Sequence, residues 1–441
     1  MDTKNIVAAI SLSAAVIVLY SLFFAPPPIT KENMAEGNKV EQNSDTPSLD
    51  QKENVAEISR EEALNQSERI NFENESIVGS ISLKGGVIDD LTFKQYNVSL
   101  DSQEKVTLLS PRNSKDGYLI ESGFITSDKN VEIPNSNSIW KVSGNNKLTD
   151  QSPIKISWTN DQGITFEKEI ALDDKYLFSI KQSVINPTDK KYDFYTYGQI
   201  IRNEMPDISN FYILHEGLVA TLDDELVEED YDDIQEKKFS RTAQKGWLGI
   251  GDKYWVTSLI PPREKEFKTT FDYKDKFRAN FVSTEPLELN ENSLIEETLQ
   301  IIVAAKRVDV IDGYAESLNI DKFDLTIDWG FLYFITKPLF FGIDYFFKLL
   351  GNYGLAIIAI TICIRLAFFP LANFSFRSMA KMKALQPEMA RLKELHKDDK
   401  MKLQQAMMAL YKKEKVNPMS GCLPILVQIP VFFALYKVLF V

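Results

Sequence analysis

The stretch Ala359–Ala372 reads AITICIRLAFFPLA, and the reading of its one arginine decides the architecture. Arg365 has at least six apolar or small residues on each side, interrupted only by Thr361 and Pro370. A guanidinium keeps its proton in a protein, so it enters any apolar surrounding fully charged. At the centre of a spanning helix that costs about 2.5–3.5 kcal/mol on insertion scales. The whole run Tyr353–Ala372 is 20 residues, enough to cross a bilayer. Arg365 is its thirteenth residue. Two readings stand: the side chain snorkels to headgroups, or it sits in a water-filled cavity where it attracts polar groups of a client.

The segment C-terminal to this run is basic. Residues 375–421 carry 11 Lys and Arg against 5 Asp and Glu. Met379, Met382, Leu385, Met389, Leu392 and Leu395 recur at helical spacing, and Leu403, Met407 and Leu410 form a second stripe. HKDDK turns the chain between them and Asn417-Pro418 ends the second helix, which predicts a helical hairpin. Its methionines pack the two helices together or offer an adaptable apolar surface. Its basic faces suit anionic lipid or ribosomal RNA. Residues 422–441, CLPILVQIPVFFALYKVLFV, form a last apolar segment interrupted by Pro424, Gln428, Pro430 and Lys437. Proline in a membrane helix frees a carbonyl that needs a partner, so the segment is either kinked or one wall of the polar cavity.

Ahead of the span, residues 328–351 are rich in Phe but carry Lys337, Asp344 and Lys348 on one stripe. Asp344 and Lys348 make an i,i+4 pair, Pro338 suits a first turn, and the pattern predicts an amphipathic helix along the membrane surface. Residues 71–325 alternate in short segments with Asn, Asp and Gly turns, such as Gly85-Gly86 and Asn160–Gly163. Ile154, Ile156 and Trp158 share one face. This predicts an antiparallel β-sandwich. It contains no Gly-rich phosphate loop, nucleophile elbow or spaced metal ligands. Residues 25–70 open on three prolines and lack Phe, Trp and Tyr, so they read as a disordered tether with one short helix near SREEALNQSERI. Ile6–Phe24 is uncharged over 19 residues and is followed by APPP, which reads as a retained signal anchor within residues 1–24 rather than a cleaved signal.

Charge gives the orientation. From Phe331 onward 15 Lys and Arg face 6 Asp and Glu, a net of +9, whereas residues 1–330 carry −22. The basic hairpin stays in the cytoplasm and the acidic sandwich lies outside. Cys363 and Cys422 are the two cysteines and His215 and His396 the two histidines, so metal, redox and histidine-centred chemistry have no signal.

GNYGLAIIAITICIRLAFFPL, SMAKMKALQPEMARLK and MMALYKKEKVNPMSGCLPILVQIPVFFALY together resemble the YidC membrane-protein insertase family, and Gln244–Pro262 resembles the end of that family's large periplasmic domain. The resemblance implies a Gram-negative inner-membrane insertase and chaperone, not an enzyme, with no cofactor. It implies a periplasmic β-supersandwich, an α-helical insertase core and a cytoplasmic hairpin. Its partners would be nascent inner-membrane proteins, the Sec translocon, ribosomes and anionic lipid, and not DNA. It places Arg365 and Thr361 in a hydrophilic groove open to cytoplasm and lipid, and matches Ile429, Pro430 and Phe432 to a client-contacting slide beside Gln428. Family members continue for two further spans, so the resemblance also implies that this 441-residue chain is truncated. The rival functions are a membrane-tethered periplasmic carbohydrate-binding or carbohydrate-modifying protein, which leaves the hairpin and Arg365 unexplained, and a scaffold for Sec components.

Overall fold

A computed structural model describes residues 58–206, 214–397, 399–414, 416 and 423–440. The chain divides into two units, Met1–Pro47 and Ser48–Val441, and every described residue belongs to the second. The expected signal anchor and most of the tether therefore lie outside the described residues, as do Asn417-Pro418 and Cys422.

Residues 69–305 build two large sheets that close on one core. One sheet has 11 strands. From the edge strand Phe239–Ala243 it runs through Phe267–Tyr273, Phe277–Ser283, Tyr192–Arg202, Tyr118–Thr126, Val87–Asn97 and Ile77–Ser82 to Arg69–Glu73 and Lys147–Leu148. The other has nine and centres on Trp255–Ile260, Ser293–Ala305, Leu177–Asn186 and Thr165–Leu172. The ladders between these strands are antiparallel, except that Arg69–Glu73 pairs with Lys147–Leu148 in parallel. Alternation decides which side chains enter the core: in Thr165–Leu172, Phe166, Ile170 and Leu172 are buried while Glu169 is exposed. Ile154 and Ile156 share that core, with Trp158 against Phe166. The expected turns form at Gly85 and Gly86, with φ of +80° and +63°, and at Asn160, whose Oδ1 accepts from the amides of Gln162 and Ile164.

Helix α1 (Arg60–Leu64) begins with a reciprocal cap between Ser59 and Glu62 and is tied down by an ion pair from Arg60 to Asp90. The tether expected over residues 25–70 is therefore folded from Ile58, because a five-residue helix with both capping bonds and an ion pair no longer depends on burying aromatics. Helix α2 (Tyr231–Glu236) buries Tyr231 and Ile234. Helix α3 (Val308–Ser317) packs Val308, Val310, Ile311 and Tyr314 inward, and the Tyr314 hydroxyl donates to Asp173 at 2.7 Å. The β domain thus begins at Arg69 rather than residue 71 and continues past residue 325 to Trp329, which is 1% exposed and stacks edge-on to Phe340.

Helix α4 (Tyr333–Leu350) fills the span expected for the surface helix, with a correction at its start. Pro338 lies in the second turn, not the first, because Leu332 caps the helix and its carbonyl already accepts from Ile335 and Thr336. Gly351, at φ +64°, ends α4, and the Asn352 side chain caps the amide of Leu355. Helix α5 (Tyr353–Ala384) then runs 32 residues without a break, so the helix itself continues through residues 372–375, where the span was expected to end. Pro370 is carried inside the helix, and the chain breaks at Leu385, where Pro387 has no amide to extend the ladder. Met379 and Met382 thus belong to α5 and not to a separate hairpin helix. Helix α6 (Gln386–Leu395) and helix α7 (Lys400–Lys413) follow, the Asp399 side chain capping α7 through the Lys402 amide at 3.0 Å. Helix α8 (Leu423–Val438) is the last. Among the described residues α5 is the one helix long and apolar enough to cross a membrane, and α8 is a shorter apolar helix.

Candidate functional site

Three helices meet at one small cluster. Ile343 of α4, Ala356 of α5 and Val438 of α8 are each no more than 1% exposed, and Leu339, Phe340, Phe346, Ile360 and Leu435 pack around them. The approach of α4 to α5 is close because Gly342 has no side chain: a Cβ there would lie 2.9 Å from Ile360. Ala356 lies near the start of α5 and Val438 ends α8, so the two helices run antiparallel from this cluster. At 1.5 Å per residue, Arg365 and Ile429 both lie about 13 Å along their helices from it, and Gln428 about one residue further.

The six residues expected at the site do not share one face. Thr361 is half-buried and its hydroxyl donates to the Ile357 carbonyl at 2.7 Å. Arg365, one turn on, is exposed, and among the described residues no hydrogen bond or ion pair reaches it. On α8, Gln428 and Pro430 are half-buried, whereas Ile429 and Phe432 are 43% and 51% exposed. At 100° per residue Ile429 falls roughly opposite Val438, and Arg365 roughly opposite Ala356. Both exposed residues therefore point away from the three-helix contact, Thr361 is also turned from it, and Gln428 lies nearer to it. Exposed Ile358, Ile362, Leu366 and Phe369 flank Arg365 on α5 and give the guanidinium an apolar surround.

The other end of the cluster is polar. Lys437, next to Val438, is 7% exposed and places its ammonium 2.6 Å from an Asp328 carboxylate oxygen. That same oxygen accepts the His215 amide at 2.9 Å. Lys337 of α4 donates to Asp324 at 2.8 Å and Asp312 at 3.1 Å; burial pulls its pKa down, but the two carboxylates outweigh it and hold the pKa above the ordinary lysine value. Behind them burial pushes Lys306 down to about 8 and pushes Glu228 up. The spacing of Lys437 in an apolar segment hinted at a partner, but nothing local in the sequence pointed to an aspartate 109 residues earlier.

Comparison with known proteins extends this geometry. The YidC periplasmic domain family matches residues 69–341, and the 60Kd inner membrane protein family matches residues 345–441. The membrane protein insertase YidC of Pelagibacter ubique is 73% identical over 442 residues, covering 100% of this chain and 79% of that protein. That of Rickettsia prowazekii is 41% identical over 447 residues, covering 99% of this chain and 79% of that protein. A solved active YidC insertase with its first transmembrane domain resolved is 16% identical, with TM-score 0.28, covering 85% of this chain and 72% of that one. A large β domain of the periplasmic type followed by a helical inner-membrane part defines an inner-membrane protein with a periplasmic domain. The chain belongs to the YidC membrane protein insertase family.

Proposed function

We propose that this insertase moves nascent inner-membrane proteins along a path between α5 and α8, past Arg365 and over Ile429. The observation that carries the reading is Arg365 itself, an exposed arginine on a long apolar helix with no partner among the described residues. A charge placed so keeps water near it and attracts polar or acidic parts of a client, while Ile429 and Phe432 give the client's apolar segment a surface to leave by. Thr361 on α5 and Gln428 on α8 extend the polar lining, and Pro430 inside α8 frees a backbone carbonyl on the wall that carries Gln428. The client's short extracellular tail pauses in this hydrated site, and its apolar segment then slides into lipid. The work is electrostatic and involves no covalent step.

In this reading residues 1–24 anchor the chain as a first span, 25–330 face the periplasm, and residues 375–421 lie in the cytoplasm. The basic hairpin α6–α7 meets ribosomes and anionic lipid, and the protein acts alone or beside the Sec translocon. The test is photocrosslinking in inverted inner-membrane vesicles, with a probe at Ile429 and ribosome-stalled chains of a short single-span protein. Crosslinks that track nascent-chain length are expected. Insertion by Arg365→Ala should fall and by Arg365→Lys should fall less; full insertion by both would leave snorkelling as the role of Arg365.

A further inference from the structure

The β domain grips the helices at two points, and both lie on α4 and α8. At the first, Asp328 gathers three donors from three places: the Lys437 ammonium of α8 at 2.6 Å, the His215 amide at 2.9 Å, and the Gly330 amide at 2.9 Å. Gly330 has φ of +70°, and the Lys437 chain lies over it, with Cε 3.4 Å from where a Cβ would stand. Any side chain at residue 330 would thus be strained and would press on the lysine. At the second point Lys337 of α4 joins Asp312 of α3 and Asp324, and the Tyr333 hydroxyl donates to the same Asp324 oxygen. Trp329 is clamped between these points, buried against Phe340.

The Tyr353–Phe374 part of α5 shows no such hold among the described residues. Among the described residues, no hydrogen bond or ion pair joins Tyr353–Phe374 to the β domain, and α5 meets α4 and α8 through the apolar cluster of Ile343, Ala356 and Val438. Apolar packing permits sliding and tilting that a buried ion pair does not, because separating the pair strands a charge. The two walls of the proposed path are therefore held differently.

We infer that Lys437 and Asp328 are positioning residues for insertion: through them the periplasmic domain fixes the α8 wall, and α5 with Arg365 is left to move against it. This rests on the reading that clients pass between α5 and α8. Neither residue touches the client. Their role is to hold Gln428 and Ile429, about 12–14 Å down the same helix, at a set height and rotation.

Two measurements on the full chain in membrane vesicles test it. The first needs no client. In a background of Cys363→Ser and Cys422→Ser, the rate of thiol alkylation at Gln428→Cys is compared among parent, Lys437→Met, Lys437→Arg, Asp328→Asn and the Asp328→Asn/Lys437→Met double variant. The clamp predicts that either neutral substitution changes the rate by about fivefold, that the double variant is no worse than either single, and that Lys437→Arg stays near the parent. Unchanged rates in both single variants, or equal changes in Lys437→Arg and Lys437→Met, overturn it.

The second uses the stalled client, with probes at Ile429 on α8 and Ile362 on α5. Lys437→Met should cut the yield at Ile429 about fivefold and hold that at Ile362 within about twofold. An equal loss at both probes counts against a role specific to the α8 wall. Absence of any crosslink in the parent chain would sink the client path, and the alkylation rates would still decide whether the clamp exists.

Discussion

Ala356 and Val438, near the start of α5 and at the end of α8, are buried together against Ile343. This single contact sets the two helices antiparallel and puts Arg365 level with Ile429. The pairing is directly checkable. In a chain with Cys363 and Cys422 replaced by serine, Ala356→Cys and Val438→Cys should be joined by a short bifunctional thiol reagent, whereas Ala356→Cys with Ile429→Cys should not. Nine residues separate the two α8 positions, roughly 13 Å of helix, beyond the reach of such a reagent. Equal yields would mean that the helices slide freely past each other.

Thr361 separates a polar lining from a structural hydroxyl. Its donation to the Ile357 carbonyl at 2.7 Å is local to the helix, so Thr361→Val keeps the branched shape and gives up one hydrogen bond whose other partner already belongs to the α-helical ladder. Stability should change by no more than about 0.5 kcal/mol. If the hydroxyl also serves the client path, insertion of a short single-span protein should fall below the parent level, and Thr361→Ser should recover most of it. Insertion at the parent level for Thr361→Val would assign the hydroxyl to the helix alone.

Much of this was legible in the residues, and for identifiable reasons. Turns announced themselves where the backbone needs glycine, as at Gly85-Gly86, or a side-chain acceptor, as at Asn160. The strand phases followed from alternation, and Asp399, in HKDDK, caps the start of α7. The unbroken length of α5 was hidden because lipid-facing and water-facing helix differ in composition but not in backbone, so a change of texture near Asn373 looked like a boundary. At the candidate site Arg365 stood out by charge alone. The face that Gln428 or Ile429 presents was not legible, because it depends on where α4, α5 and α8 touch, and that depends on Ile343, Ala356 and Val438 meeting across more than 90 residues. The Lys437–Asp328 pair is of the same kind: each residue is an oddity locally, and only the fold makes them partners.

Gly246 tests the sandwich itself. Its φ is +142°, and a Cβ there would lie 1.8 Å from the Thr221 carbonyl oxygen, in the ladder between Gly217–Leu222 and Gly246–Gly251. Both the dihedral and the contact oppose any side chain, and the contact is with backbone that cannot swing away. Gly246→Ala should destabilise the β domain by about 2 kcal/mol or more. All five tryptophans lie at or before Trp329, so their emission during denaturant unfolding of the full chain in detergent reports this domain. A midpoint equal to that of the parent would show that the strand Gly246–Gly251 is not held as described.

Lys168 predicts an unusual pH dependence. It falls in the inward phase of Thr165–Leu172, is 3% exposed, donates to the Gly86 carbonyl at 3.0 Å, and lies 5.0 Å from the Trp140 ring centroid. Burial pushes its pKa down to about 7. In the unfolded chain the same lysine titrates near an ordinary value of about 10.4. Between those two values the unfolded chain holds a proton that the folded one does not, so its contribution to stability rises with pH. The slope for this single group is on the order of 1.4 kcal/mol per pH unit. Below about pH 7 both states are protonated and the penalty of the buried charge is present in full; above about pH 10 both are neutral and it is gone. Lys168→Met removes the titration and leaves the Gly86 carbonyl without this donor, a loss of about 1 kcal/mol. Unfolding midpoints followed by tryptophan emission from pH 7 to pH 9.5 should therefore climb more steeply for the parent than for Lys168→Met, with the variant the more stable at pH 7 and the gap narrowing as pH rises. Parallel curves would show that Lys168 is protonated, or solvated, in the folded domain throughout this range.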